Sequence, residues 1–170
     1  MRTKSQYLCI LILILLVLFS CTKKSVLSPT SSPVLILTAI PTATAVSAAG
    51  SDAYENDDTF LNAKTITVNA PAQHHNFYDS CDNDYIKFFA VSGTYYTIQT
   101  MNLGGTTDTK ITLYSTDGTT VISSNDDYSG GVASRITWTA AASGTYYVKI
   151  VEYYCHYGAN FTYDIMVTAP

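Results

Sequence analysis

The carboxylates are the side chains best placed to do chemistry in this 170-residue chain, because they are bunched rather than scattered. Glu55-Asn56-Asp57-Asp58 sets three acids and an amide carbonyl side by side, and Asp79, Asp82 and Asp84 follow in one short stretch. Such groups are hard oxygen donors that repel one another without a cation among them, and calcium takes about six to eight oxygens of this kind. Neither run fits an EF-hand loop, since Asp79 to Asp84 lacks the glycine and the distant glutamate. The competing reading is solvated loop acids capping turns, and residue type alone leaves both open. Asn125-Asp126-Asp127 is read as structural, its side chains bonding to backbone in a turn.

Cys81 and Cys155 are 74 positions apart, and in an exported domain two such thiols pair most simply as a disulfide. A zinc site built from Cys81, Cys155, His156 and the His74-His75 pair is the alternative. Neighbours on a strand point to opposite faces, so His74 and His75 do not readily share one metal, which favours the disulfide. No catalytic residues are assigned: the chain holds no Gly-x-Ser-x-Gly elbow, no His-Glu-x-x-His and no phosphate-cradling glycine loop, so a non-enzyme is expected. Tyr153, Tyr154 and Tyr157 crowd the segment around Cys155 with more aromatic surface than one core face buries. Exposed, they would offer amphipathic area to an extracellular protein or polysaccharide; packed around Cys155, they would be core. The pentapeptide Ser-Gly-Thr-Tyr-Tyr, at Ser92–Tyr96 and Ser143–Tyr147, is read as two hairpins of like geometry, each burying one tyrosine.

Two different materials have to carry these residues. The 47% hydrophobic and 13% charged composition averages over them. All 13 carboxylates and 13 of the 14 tyrosines lie from Asp52 onward, with 5 of the 9 basic residues, so that part carries a net charge of −8. A domain so negative repels a phosphate backbone, and no nucleic-acid partner is expected. Residues 1–20 read as an export signal: Arg2 and Lys4 precede an apolar run from Leu8 to Phe19, too short for a membrane span of about 20 residues. Leu18-Phe19-Ser20-Cys21 resembles a bacterial lipobox, which implies diacylglycerol on Cys21 and a membrane-tethered, exported protein. Residues 21–51 are rich in Ser, Thr, Pro and Ala and read as a linker, with Val34 to Leu37 as a short apolar run.

From Asp52 to Pro170 the pattern is that of strands. Runs with β character fall at Thr65–Asn69, His74–Tyr78, Tyr85–Val91, Tyr95–Met101, Ile111–Ser115, Thr120–Ser123, Arg135–Ala140, Tyr146–Tyr153 and Phe161–Thr168. Glycine-bearing turn signals separate many of them, and no helical apolar spacing is sustained. Eight or nine short strands at near-regular intervals predict an all-β antiparallel sandwich. Ile86, Phe88 and Ala90 should share one inward face, as should Ile136, Trp138 and Ala140, and Tyr146, Val148 and Ile150. Asp117-Gly118 is read as a tight hairpin turn.

Several motifs line up in order: Tyr54 to Thr59, Asp82-Asn83-Asp84-Tyr85-Ile86-Lys87-Phe88, Asp108 to Tyr114, Asp117-Gly118, Asn125-Asp126-Asp127, Ser134-Arg135-Ile136 and Gly144-Thr145-Tyr146-Tyr147-Val148. Together they resemble the bacterial pre-peptidase C-terminal domain, a relative of clostridial collagen-binding domains, over about Asp52 to Thr168. The resemblance implies a jelly-roll-like sandwich without catalytic activity. It also implies calcium between two acidic segments, with Glu55, Asn56, Asp57 and Asp58 matching the first and Asp82 and Asp84 the second. The expected role is a surface-tethered binding module, with an envelope spacer or an accessory to a separate secreted peptidase as the alternative.

Overall fold

The computed structural model describes residues 50–170. The segment read as an export signal, the expected lipidation position Cys21, the Val34 to Leu37 run and nearly all of the expected linker lie outside the described residues. Nine strands follow in order: β1 (Lys64–Thr65), β2 (Gln73–Asn76), β3 (Asn83–Ala90), β4 (Tyr95–Met101), β5 (Thr109–Tyr114), β6 (Val121–Asn125), β7 (Arg135–Thr139), β8 (Gly144–Glu152) and β9 (Thr162–Thr168). There is no helix among the described residues. Each strand overlaps a run expected from β-branched and aromatic content, because those residues fit a pleated surface buried on one side.

The strands form a five-stranded sheet, β1-β3-β8-β5-β6, and a four-stranded sheet, β2-β9-β4-β7. Pairing is nested: β2 with β9, β3 with β8, β4 with β7 and β5 with β6, all antiparallel. An eight-strand hairpin has thus been folded over on itself, which is the jelly-roll arrangement. The fully antiparallel expectation needs one correction, since β1 runs parallel to β3, with Lys64 opposite Ile86. β1 is also only two residues long, because the chain leaves the sheet after Ile66 and Asn69 donates to the Val167 carbonyl of the other sheet.

Period-2 alternation sends one face of each long strand inward. Ile86, Phe88 and Ala90 meet Val148, Ile150, Ile111 and Leu113 from one sheet and Ile98, Ile136, Tyr163, Ile165 and Val167 from the other. Ile136 and Ala140 are buried as expected, while Trp138 is only partly buried and lies between the rings of Tyr96 and Tyr146.

The Ser-Gly-Thr-Tyr-Tyr repeats are not the two hairpins expected. Each lies at a passage from one sheet to the other, Ser92–Tyr96 between β3 and β4 and Ser143–Tyr147 at the end of the passage from β7 into β8. One tyrosine of each pair is buried, but it is the second in Tyr95-Tyr96 and the first in Tyr146-Tyr147. Gly93 adopts a left-handed φ of 80°, whereas Gly144 opens a strand with a side of Thr116 pressed against it. The passages meet: Ser92 donates its N–H to the Ser143 hydroxyl and its own hydroxyl donates to the Ala141 carbonyl. The Asp117-Gly118 turn also differs from the tight hairpin expected. Tyr114 pairs with Val121, so six residues connect the strands, closed by Ser115 and Thr120 and by a shift of register at Leu113/Tyr114.

Candidate functional site

β3 carries Asp84 on the same inward face as Ile86 and Phe88, so a carboxylate points into one end of the sandwich and is fully buried. The segment before β1 returns over this end. It is fastened there by the Tyr85 N–H donating to the Asp57 carbonyl at 3.0 Å. Asp52 fastens it again, accepting from the N–H groups of Tyr54 and Asn76, both at 2.7 Å. The result brings carboxylate oxygens of Glu55, Asp57 and Asp84 within 4.8 Å of one another.

These oxygens are poorly satisfied. Both of Glu55, both of Asp57 and Oδ1 of Asp84 are buried with no hydrogen-bond donor. The other Asp84 oxygen accepts from the Tyr163 hydroxyl, itself completely buried. Leaving such groups unpaired costs several kcal/mol in ordinary cases, and the ionised form is what suffers. Burial first, and the neighbouring Asp57 and Asp82 charges next, push the Glu55 carboxyl up to about 8. Burial followed by the Asp52 charge pushes Asp57 up to about 7. Asp82 is raised to about 6, mainly by burial, and Asp84 lies well above the carboxylate range for the same reason. Without a cation, the only hydrogen bond Glu55 and Asp57 can make to each other requires one of them to hold a proton.

Of the six acidic-segment residues expected at a metal, the fold therefore gathers Glu55, Asp57 and Asp84. Asp82 is buried alongside, but its Oδ2 already accepts from the Tyr78 N–H at 2.9 Å. Asn56 and Asp58 are exposed at the edge of the segment. Two residues outside the expected calcium set complete the surroundings. His75 is 0% exposed, stacked between Tyr54 and Tyr163, and burial lowers it to about 4. Asp52, whose Oδ2 lies 3.7 Å from His75 Nδ1, organises the whole return segment. The alternation signal could have placed Asp84 and His75 in the interior, two residues from Ile86 and Phe77; Asp52 has no such signal.

Cys81 and Cys155 form a disulfide with 4.3 Å between Cα atoms, as expected, so the zinc arrangement has lost its thiols. His74 is exposed and His75 buried, on opposite faces of β2. The bond joins the turn before β3 to the loop after β8. In that loop Tyr153, Tyr154 and Tyr157 are 48%, 64% and 55% exposed rather than packed around the sulfurs. Glu152, buried at the end of β8, shapes the loop by accepting from the N–H groups of Tyr154 and His156. Its role was not legible in the sequence. Asn125 serves its turn as expected, its carbonyl oxygen accepting from the Arg135 N–H and its amide donating to the Asp127 carbonyl.

Residues 82–152 match the family of the bacterial pre-peptidase C-terminal domain. Among solved structures, the chain is similar to the pre-peptidase C-terminal domain of a collagenase from Bacillus anthracis, with TM-score 0.50 and 19% identity over 62% of this chain and 93% of that one. It is also similar to PliG from Aeromonas hydrophila, a periplasmic lysozyme inhibitor of g-type lysozyme, with TM-score 0.47 and 14% identity over 64% and 96%. No curated protein matches the chain. At such identities the likeness concerns the fold. The family match runs from the start of β3 to the end of β8, so it contains Asp82 and Asp84 but not Glu55 or Asp57.

Proposed function

We propose that this chain, which carries a bacterial pre-peptidase C-terminal domain, is a non-catalytic binding module for an extracellular protein or polysaccharide, held to a membrane by lipid on Cys21 and stabilised by calcium. The observation that carries the binding role is the loop after β8. It holds three tyrosines in solvent on a scaffold made rigid by the Cys81–Cys155 bond and the buried Glu152. Rigid, amphipathic side chains presented this way give contact area at low entropic cost. A disulfide fits an oxidising compartment outside the cytoplasm, in agreement with the export signal.

Calcium is supported by the donor set. Glu55, Asp57 and Asp84 supply hard oxygens with no other partner, and a divalent cation would replace the protons that the buried cluster otherwise needs. Asp82 and the carbonyl groups of the return segment would complete the shell.

Pull-down from envelope extract tests the binding role. Tyr154→Ala with Tyr157→Ala should lose partners without lowering the melting temperature, since neither ring is core. A loss of stability with binding unchanged would assign these tyrosines to packing and defeat the reading.

A further inference from the structure

The outer face of the five-stranded sheet carries a pattern that the acidic site does not use and that meets the tyrosine loop only at Tyr153. Register fixes three rows across β3, β8 and β5: Asn83, Val151, Lys110; then Tyr85, Lys149, Thr112; then Lys87, Tyr147, Tyr114. The three lysines therefore lie on one diagonal, each about 7–8 Å from the next between backbones. Only five cationic residues occur from Asp52 onward, in a region of net charge −8, and three of them are here. The ion pairs among the described residues all belong to histidines, so no lysine of the diagonal has a carboxylate within 4.0 Å.

Aromatic rings line the same diagonal. Lys149 Nζ is 6.0 Å from the centre of the Tyr85 ring, Lys110 Nζ is 5.6 Å from that of Tyr153, and the Tyr85 and Tyr114 rings lie 6.3 Å apart. Lys110, Thr112, Tyr114, Lys149 and Val151 enclose a shallow cavity of about 170 Å³. Small-molecule sites usually offer roughly 300–1,000 Å³, so this one suits a single unit of a longer chain.

We propose that this face binds an acidic polysaccharide, laid along the diagonal of Lys87, Lys149 and Lys110. The proposal rests on the reading of the domain as a binding module and extends its ligand contact from the tyrosine loop, through Tyr153, onto the sheet. Charge complementarity requires an anion, and the rings and hydroxyls select its kind. A sugar ring sets its apolar face on tyrosine and its hydroxyls against Tyr, Thr and Lys donors. An extended acidic peptide crossing a sheet face would find no free backbone groups there for its own N–H and C=O.

The test uses the purified full-length chain in mild detergent, titrated with polygalacturonate, neutral dextran and polyglutamate. Polygalacturonate should bind, more weakly as salt rises, and dextran should not. Lys110→Gln with Lys149→Gln should weaken polygalacturonate roughly tenfold, a loss of about 1.4 kcal/mol, at unchanged melting temperature. Arg135→Gln, on the other sheet, should bind as the parent does. If the lysine variant proves unstable, Lys110→Arg with Lys149→Arg keeps charge and ring contact and must bind normally. Equal binding of polyglutamate would replace the glycan with an acidic polypeptide. No binding of polygalacturonate overturns the proposal, as does parent-like binding by the lysine variant. In that last case, binding lost through Tyr154→Ala and Tyr157→Ala would keep the module reading and confine its site to the loop.

Discussion

Four carboxylate oxygens without donors, two on Glu55 and two on Asp57, dominate the pH behaviour of the metal-free domain. Their folded-state values are raised, to about 8 and about 7, so the native state holds protons that the unfolded chain releases from about pH 4 upward. Stability from these groups is present at low pH and is lost as pH rises through the folded values. His75 acts oppositely: burial lowers it to about 4 from 6.5, so its contribution is lost as pH falls through that window. Above pH 6.5 only the acids still change, and the melting temperature of metal-free protein should fall between about pH 6.5 and 8. Calcium at saturation should abolish the fall and raise the melting temperature, by about 2.7 kcal/mol of stability at a hundredfold excess over Kd. Calorimetry in chelator and in calcium at both pH values measures this; a flat chelator profile contradicts the buried, unpaired acids. Asp57→Asn should raise the metal-free melting temperature at pH 8, because it removes one charge from the cluster, and should erase the calcium response. The acids themselves were legible as types in sequence. Their burial was legible only for Asp84, through its two-residue step from Ile86, because the return of the Asp52–Asp58 segment over β3 is a tertiary event.

Among the elements, strands were legible, and their partners only across the Asp117-Gly118 turn. Alternation reports which side chains share a face, but it carries no information on which sheet receives the next strand. The Ser92–Tyr96 and Ser143–Tyr147 segments therefore looked like local hairpins, although both cross between sheets. The β5–β6 connection shows the same limit at smaller scale. Asp117 and Gly118 marked a turn, and Asp117 holds it by accepting from the Thr119 and Thr120 N–H groups and the Thr120 hydroxyl. What the local sequence could not show is that Phe60, from the segment before β1, packs on Gly118, so that a Cβ there would run into its ring. Phe60 also meets Tyr147 edge-on at 5.7 Å, so it clasps this hairpin to β8. Gly118→Ala should therefore cost about 1–3 kcal/mol, from ring displacement and from a left-handed φ of 72°. A double-mutant cycle with Phe60→Ala, read by urea unfolding, separates the two: the cost of Gly118→Ala should shrink in the Phe60→Ala background but not vanish. An unchanged cost would mean that the backbone alone demands the glycine.

At the scale of the molecule, nested pairing makes the fold depend on contacts distant in sequence, with β2 closing on β9 across nearly the whole domain. Such topologies must close long loops before their contacts repay the entropy, and they fold slowly. The Cys81–Cys155 bond acts on this weakness. It flanks the β3–β8 pair from outside, 74 residues apart, and so restricts the unfolded chain across β3 to β8 and everything nested between them. Loop entropy for a closure of this size amounts to roughly 4 kcal/mol. Both cysteines, however, hold left-handed φ values of 59° and 61°, a conformation that costs non-glycine residues roughly 1–2 kcal/mol each and can relax once the sulfurs part. Replacing both by serine should therefore lower the unfolding free energy by clearly less than about 4 kcal/mol, while the denaturant m value rises as the unfolded ensemble expands. Urea titration of the parent and the variant measures both quantities. A stability loss with no change in m would place the effect in the native state instead. The bond would then act chiefly by holding the Asp82 turn against the tyrosine loop, and the calcium-induced shift should weaken with it.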